Sequence, residues 1–143
     1  MAITYSVSNH FKQQLNLGEI DFDSNVYKVI LMDDSFTFDP DTDSTLSGVT
    51  SSQLATQGGY TQDDKTLSNV SVTENDTTNK SEVTWDDASW TATTSGIGPT
   101  GSFCIYDDTT SDDTIICCVD FGEDYTVAED SVLTLQSIKI SVA

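Results

Sequence analysis

The sequence predicts a mainly β fold: a single antiparallel β-sandwich or jelly-roll-like domain with a short N-terminal helix. Apolar residues recur at every second position in about seven short segments from Val26 onward, as they do on strands with one buried face. Turn residues separate these segments at short intervals, which is typical of antiparallel sandwiches and barrels. The chain of 143 residues has the length of one domain, so residues 1–143 are expected to share one core.

The first segment, residues 1–20, is interpreted as an N-terminal helical arm. Ser8 is a favourable N-cap residue, Phe11 and Leu15 lie four positions apart on one helical face, and Gly18 is a typical residue to end a helix. The sequence therefore predicts a helix of about two to three turns between Ser8 and Gly18.

The next segment, residues 26–32, is predicted to be a strand that follows a turn at residues 21–25. It is apolar on both faces except at Lys28. Strands with two apolar faces are buried on both sides, so this strand is expected to be central in its sheet.

A long loop excursion is predicted over residues 33–65. Its first part, residues 33–45, is rich in Asp, and Gly58-Gly59-Tyr60 is predicted to end it with a tight turn. An irregular stretch of this length inside a compact domain usually has a function.

The remaining chain is predicted to form further strands. In the last of them the apolar positions change parity at Gln136-Ser137, which indicates either a β-bulge or a change of the buried face. The predicted segments are residues 65–73, 80–86, 89–94, 103–106, 114–121 and 131–142.

The charge of the chain excludes some partners. There are 24 acidic residues against five lysines and no arginine, which gives a net charge of −19. Binding to nucleic acid or to an anionic membrane depends on Lys and Arg, so neither partner is expected. Basic protein surfaces or divalent cations would be attracted to such a chain.

The N-terminus lacks the basic segment and apolar run of an export signal, and no apolar stretch has the length of a membrane helix. The chain is therefore expected to fold in the cytoplasm. Cys104, Cys117 and Cys118 make an odd count and lack the spacing of a zinc site. They are expected to be buried thiols without a disulfide framework, in a chain that folds in a reducing cytoplasm, with Cys117 and Cys118 on opposite faces of a strand.

Two acidic segments are weak candidates for metal binding. Asp39, Asp41 and Asp43 occupy the first, third and fifth positions of a calcium loop, but Ser44 and Thr50 stand where that loop needs glycine and a bidentate acid. A solvated acidic loop is the favoured interpretation, and a weak site of another geometry is the alternative. Four further acids, at positions 107, 108, 112 and 113, are predicted to lie at a solvated hairpin tip.

No catalytic residue or cofactor is predicted. His10 is the one histidine of the sequence and is interpreted as a residue on the helix surface. No nucleophile elbow, zinc-binding helix motif or phosphate-binding glycine loop is present in the sequence. We therefore expect a protein that is not an enzyme.

Four aromatic residues are candidates for a protein interface. Phe36 and Phe38 stand in an Asp-rich loop beside Asp39 and Asp41, where their rings are costly to leave in water, at about 1.5–3 kcal/mol each. They are expected to pack on the domain's own core or against another subunit. The same two alternatives, core packing or a subunit contact, hold for Trp85 and Trp90.

A series of short blocks along nearly the whole chain resembles a family of small tailed-bacteriophage virion structural proteins. The blocks, in order, are Leu15-x-Leu17-Gly18-Glu19-Ile20-Asp21-Phe22-Asp23, Tyr27-Lys28-Val29-Ile30-Leu31-Met32, Phe36-x-Phe38-Asp39-Pro40-Asp41-Thr42-Asp43, Gly58-Gly59-Tyr60-Thr61, Lys65-Thr66-Leu67, Trp85-Asp86-Asp87-Ala88-Ser89-Trp90-Thr91, Ile105-Tyr106-Asp107-Asp108 and Val119-Asp120-Phe121-Gly122.

Members of that family are similar to proteins encoded beside head genes, and no catalytic residues are known that could be carried over. The resemblance implies a capsid-associated role. A small, β-rich and very acidic chain without catalytic residues suits a capsid decoration (cement) protein on the outer surface of the head, with the major capsid protein or copies of itself as partners. The alternative that it leaves open is a head–tail connector, tail or fibre component that contacts the host receptor.

Overall fold

The computed structural model describes residues 4–143 and is mainly β, as the sequence predicts. Its elements, in chain order, are β1 (Thr4–Val7), α1 (Asn9–Leu17), β2 (Tyr27–Asp33), α2 (Leu46–Val49), a 3₁₀ turn (Thr50–Ser52), β3 (Ser71–Asn75), β4 (Lys80–Thr84), β5 (Ala88–Thr91), β6 (Ile97–Asp107), β7 (Ile115–Val127), β8 (Val132–Leu135) and β9 (Lys139–Val142).

The strands form antiparallel sheets in a sandwich-like arrangement. The largest sheet has four strands in the order β1-β7-β6-β2. Two smaller sheets, β3-β4-β9 and β5-β8, contribute the side chains that pack on its inner face. The predicted β-sandwich-like fold with a short N-terminal helix is therefore confirmed.

The four-stranded sheet is buried on both faces. On β2, Val29 and Leu31 belong to the inner cluster with the small sheets, whereas Ile30 and Met32 belong to a separate outer cluster. The outer cluster is covered by the long loop and α2, through Phe36, Phe38, Leu46 and Val49. Other parts of the chain therefore cover both faces of β2, which explains why its side chains are apolar on both faces.

The predicted central position of β2 is wrong, because β2 lies at one end of the four-stranded sheet. Its outer edge is covered by loop backbone instead of a full strand. Leu54 N donates to Leu31 O, Val29 N donates to Lys65 O, and Leu67 N donates to Tyr27 O. Residues 53–67 therefore bury β2 without forming a regular strand beside it, and the predicted strand over residues 65–73 is regular only from Ser71 onward.

The predicted helix is confirmed, but the N-terminal segment is more than a helical arm. Ser8 caps α1 through its side chain, and Gly18 ends the helix in the left-handed conformation with φ 79°. Before the helix, β1 pairs with β7, so that Tyr5 lies opposite Val119. The start of the predicted arm, residues 1–3, lies outside the described residues.

The apolar positions change parity near the C-terminus because the chain passes there from one sheet to another. β8 pairs with β5, whereas β9 pairs with β4. Between them Ser137 adopts a positive φ of 55°, and its N–H donates to Asp87 Oδ1 at 3.0 Å. This residue breaks the alternation, so that Leu135 and Ile138 are both buried in the inner cluster.

The expectation of three free thiols is wrong. Cys104 on β6 and Cys118 on β7 lie directly opposite each other in the antiparallel register and form a disulfide in the outer cluster. Cys117 is free and lies in the inner cluster, which confirms that neighbouring cysteines point to opposite faces. The sequence argument from cysteine usage for a reducing compartment is thereby removed.

The tight turn at Gly58-Gly59 provides a test of the fold. Gly59 has a φ of +98°, and a Cβ there would overlap the backbone oxygen of Thr91. We expect Gly59→Ala to lower the free energy of unfolding by about 1–3 kcal/mol, because the substitution adds both backbone strain and a clash. Gly48→Ala is the matched control, since a Cβ there meets only the Thr45 hydroxyl at 3.9 Å. Urea denaturation measures both changes, and equal stability of the two variants would contradict the described turn.

Candidate protein interface

The structure joins the two acidic segments that the sequence presents 60 or more residues apart. The end of the long loop pairs with the β6–β7 hairpin tip: Leu46 N donates to Asp113 O, and Ile115 N donates to Ser44 O. The same loop is bound to the start of α1, where Asn9 N donates to Pro40 O. We call this surface the acidic end, defined by Asp39, Asp41, Asp43, Asp108, Asp112 and Asp113.

The three loop carboxylates that were candidate metal ligands bind backbone and side-chain donors. Asp39 Oδ1 accepts from Asp41 N at 2.9 Å, and Asp43 Oδ2 accepts from Asp39 N at 2.8 Å. Asp41 accepts from the Asn9 side chain. Within residues 4–143 no group of three or more His, Cys, Asp or Glu side chains is arranged to hold a metal ion. The loop carboxylates therefore fix the loop and its contact with α1.

One residue of the hairpin tip that the sequence predicts to be solvated is buried. Asp107 is fully buried, and its two carboxylate oxygens accept from the Asn25 side chain at 2.7 Å and from Thr109 N at 2.9 Å. Buried carboxylates need such donors to replace water. Asp107 therefore anchors the tip to the turn before β2, and the other acids of the tip are the ones that reach solvent.

His10 links α1 to the hairpin tip and is less exposed than a free surface residue. Its Nε2 lies 2.8 Å from Asp112 Oδ2, and its side chain is 22% exposed. The other oxygen of Asp112 accepts from the Thr114 hydroxyl at 2.6 Å. Burial raises the pKa of Asp112, but the hydrogen bonds from Thr114 and His10 outweigh it, so that the pKa lies below its ordinary value.

The neighbouring Asp113 has the opposite shift. Partial burial and the negative charges of Asp108, Asp112 and Asp63 raise its pKa above the ordinary value. One cation relieves this repulsion in part, because Lys28 Nζ lies 3.4 Å from Asp108 Oδ2. The charges of the acidic end are thus held closer together than their repulsion favours, and a positive partner surface would lower that repulsion.

Phe36 and Phe38 are half-buried and pack on the domain's own outer cluster. Their outer parts line a small surface groove of about 140 Å³ together with Ser6, Ser102 and Asp120. The own-core alternative thus accounts for part of each ring. The exposed remainder lies on the same loop as Asp39 and Asp41, which keeps these four residues together as an interface candidate.

Trp85 and Trp90 are core residues. They are only 6% and 5% exposed, which leaves too little surface for a subunit contact. The Trp85 ring lies 5.6 Å from that of Tyr27, and the Trp90 ring lies 5.8 Å from that of Tyr60 in an edge-on arrangement. Of the two alternatives stated for these tryptophans, the structure supports core packing, and they are removed from the candidate interface.

Sequence reasoning missed the contact between the long loop and the hairpin tip, because the contact joins segments 60 or more residues apart through backbone groups, which no local pattern encodes. The hydrogen bonds within the loop did have a local signal in the sequence. It is the Asp-x-Asp spacing of residues 39–43, which is typical of carboxylates that accept from the backbone N–H two residues onward.

No helix within residues 4–143 is long and apolar enough to cross a lipid bilayer. Comparisons of the chain with protein-family models, with curated proteins and with solved structures found no match.

The opposite pKa shifts of the two neighbouring acids give a pH-dependent prediction. The lowered pKa of Asp112 means that its charged form stabilises the fold at pH values above its ordinary pKa, and that this contribution is lost as the pH falls through the lowered value. Asp112→Asn should lower the free energy of unfolding at pH 7 by about 1 kcal/mol, after allowance for solvent screening.

Asp113→Asn is the matched control. The raised pKa of Asp113 means that its charge costs stability above that value, so this variant should be as stable as the original chain or more stable at pH 7. Denaturant unfolding from pH 7 down to pH 2 measures both variants. A loss of stability in Asp113→Asn as large as that in Asp112→Asn would contradict the described charge arrangement.

The two loop aromatics give a second prediction. The double substitution Phe36→Ser and Phe38→Ser should lower the free energy of unfolding of the isolated domain by about 1–1.5 kcal/mol per ring, because half of each ring leaves the outer cluster. Thr37→Ala, between them and exposed, is the control. An unchanged melting temperature in the double variant would contradict the described packing of the two rings on the outer cluster.

Proposed function

We propose that the chain is a bacteriophage virion structural protein, namely a capsid decoration protein that binds the outer surface of the head lattice and stabilises it. The proposal starts from the sequence blocks that resemble small tailed-phage virion proteins. The acidic end is the structural observation that supports it. Its partners are the major capsid protein and copies of the chain itself, and its location is the virion surface.

The acidic end fits this role because it combines charge with a fixed shape. Asp107 and the His10–Asp112 pair hold the hairpin tip in place, and backbone hydrogen bonds join the tip to the long loop. A surface that is already ordered loses little conformational entropy when it binds. Its negative charge would attract a basic patch on the shell, and the half-buried Phe36 and Phe38 would supply apolar contact beside it.

Stabilisation of the head needs no chemistry. A protein that binds the assembled lattice and not the free subunits adds its binding free energy to the assembled state, about 2.7 kcal/mol per site at a free concentration of 100 times Kd. Because the proposed contact is electrostatic in part, salt should weaken it.

The first test is the position and number of copies in a virion reconstruction. A decoration protein should give density on the head exterior in hundreds of copies, and heads that lack the protein should assemble but lose resistance to heat. A dozen copies or fewer, located at the neck or the tail, would favour the connector, tail or fibre alternative. Equal heat resistance of complete and depleted heads would overturn the stabilising role.

A second test separates binding from folding. The double variant Asp39→Asn and Asp113→Asn removes two negative charges from the acidic end and keeps side chains that accept hydrogen bonds. It should keep its stability and bind depleted heads at least tenfold more weakly at low salt. Glu74→Gln with Asp76→Asn removes the same charge from the exposed β3–β4 hairpin and should bind normally. Equal binding of both double variants would contradict the assignment of the acidic end as the contact surface.

A further inference from the structure

Strand β1 forms one edge of the four-stranded sheet. It pairs with β7 on one side, and no strand of the described part of the chain pairs with its other side. Ser8 N donates to Ile116 O, so in this antiparallel register the backbone groups of Ser6 also point to β7. The N–H and C=O groups of Tyr5 and Val7 therefore point away from the sheet, and they form no hydrogen bond to another described residue.

Strand β1 lacks the features that usually protect a sheet edge. Natural edges carry charged side chains, proline or a β-bulge, which prevent the edge from pairing with a second chain. The sequence of β1, Thr-Tyr-Ser-Val, contains neither a charge nor proline, and its register with β7 has no shift. The edge at β2 is covered by loop backbone. Strand β1 is therefore the edge of this sheet at which a second chain can pair.

The surface beside this edge is free of acidic side chains. All 24 acids of the sequence lie between Glu19 and Asp130, so the first 18 and the last 13 residues contain none, although they contain two of the five lysines. The fold brings these two ends together, because β1, α1 and β9 line a common surface groove of about 660 Å³. No Asp or Glu side chain is among the described residues that line it.

The groove is apolar and open at the surface. Tyr5 is 43% exposed, and Val7, Leu15 and Val142 are half-buried in the groove lining. The Tyr5 hydroxyl is bound to the backbone of Ser141, which joins β1 to β9 across the two layers. The edge of β1 is thus rigidly placed beside an apolar surface that a second chain can cover.

The charge of the chain favours a second copy as the occupant. Two chains with a net charge of −19 repel each other, and this repulsion is weakest where the facing surfaces have no carboxylates. Charges farther apart than about 8 Å are largely screened at physiological salt. A contact through the ends of the chain therefore avoids most of the repulsion, whereas a basic partner is attracted to the acidic end instead.

The edge of β1 is also complementary to itself. In an antiparallel pair of β1 strands with a two-fold axis at Ser6, Tyr5 of each copy lies opposite Val7 of the other. Each of these two residue pairs exchanges two hydrogen bonds, so that all the outward backbone groups of Tyr5 and Val7 are used. Such a contact is closed by its own symmetry.

We propose that two copies of the chain associate through β1, in antiparallel orientation about a two-fold axis at Ser6, and so join their four-stranded sheets into one. The contact uses no residue of the acidic end. It is derived from the backbone of β1 and from the distribution of charge, and it does not depend on the head-binding proposal.

The first test is the response of the chain alone to salt. Sedimentation velocity from about 5 to 500 µM should show a reversible equilibrium between monomer and dimer, because a contact of this size is weak. Repulsion between the copies opposes the contact, so raising the salt from about 0.05 to 0.5 M should strengthen the dimer at least threefold. Attraction between the acidic end and a basic partner responds in the opposite way, since salt weakens it.

Two variants test the location of the contact. Ser6→Asp places two carboxylates opposite each other at the axis and should weaken the dimer at least tenfold. Ser71→Asp adds the same charge to β3, an exposed edge strand of another sheet, and as the matched control should leave the dimer within about twofold. Val7→Pro removes an outward N–H and no hydrogen bond to β7, and it should also weaken the dimer at least tenfold.

Circular dichroism and melting curves establish that each variant folds. If Ser6→Asp does not fold, Val7→Pro decides, and the salt response of the original chain requires no variant. Three results would overturn the proposal: a monomer at every concentration in the highest salt, a dimer that salt weakens, or equal dimerisation of folded Ser6→Asp and Ser71→Asp. None of these results bears on the head-binding proposal, which is tested on heads and rests on the acidic end.

Discussion

The need to cover both faces of the four-stranded sheet governs the rest of the structure. On β2 the alternation of Val29 and Leu31 with Ile30 and Met32 leaves no polar face, so each side requires its own apolar layer. The small sheets supply the inner layer, and the long loop with α2 supplies the outer one. This requirement explains why a stretch of chain with a loop-like composition is ordered and tightly bound, and why it carries aromatic rings among its aspartates.

The same coverage accounts for the acidic end. The loop must return from the outer face to the sheet, and it does so beside the β6–β7 hairpin tip, where its own carboxylates meet those of the tip. Hydrogen bonds to backbone and hydroxyl groups satisfy Asp39, Asp107 and Asp112, while Asp113 remains in the field of its neighbours. The negative charge of Asp113 therefore lowers the stability of the free chain. The same charge is available to attract a basic partner surface.

Local features of the sequence were predictable, and long-range ones were not. Ser8 and Gly18 determine the ends of α1 through contacts within a few residues, and the parity change at Gln136-Ser137 follows from the period of a strand. The disulfide could not be predicted, since it requires Cys104 and Cys118 to be in register across a hairpin. The end position of β2 and the meeting of the two acidic segments likewise depend on strand order, which composition and periodicity leave open.

The coverage of β2 by residues 53–67 has a consequence for how copies of the chain associate. Loop backbone already binds the carbonyl oxygens of Tyr27 and Leu31 and the N–H of Val29 on that side, and the N–H of Leu31 donates to the Tyr60 hydroxyl, so this edge of β2 is closed to a strand from a second copy. A sheet with two open margins can propagate into a fibre without limit, whereas a sheet with one can pair once and then stops. The covered edge of β2 therefore prevents copies of the chain from joining edge to edge on that side of the sheet.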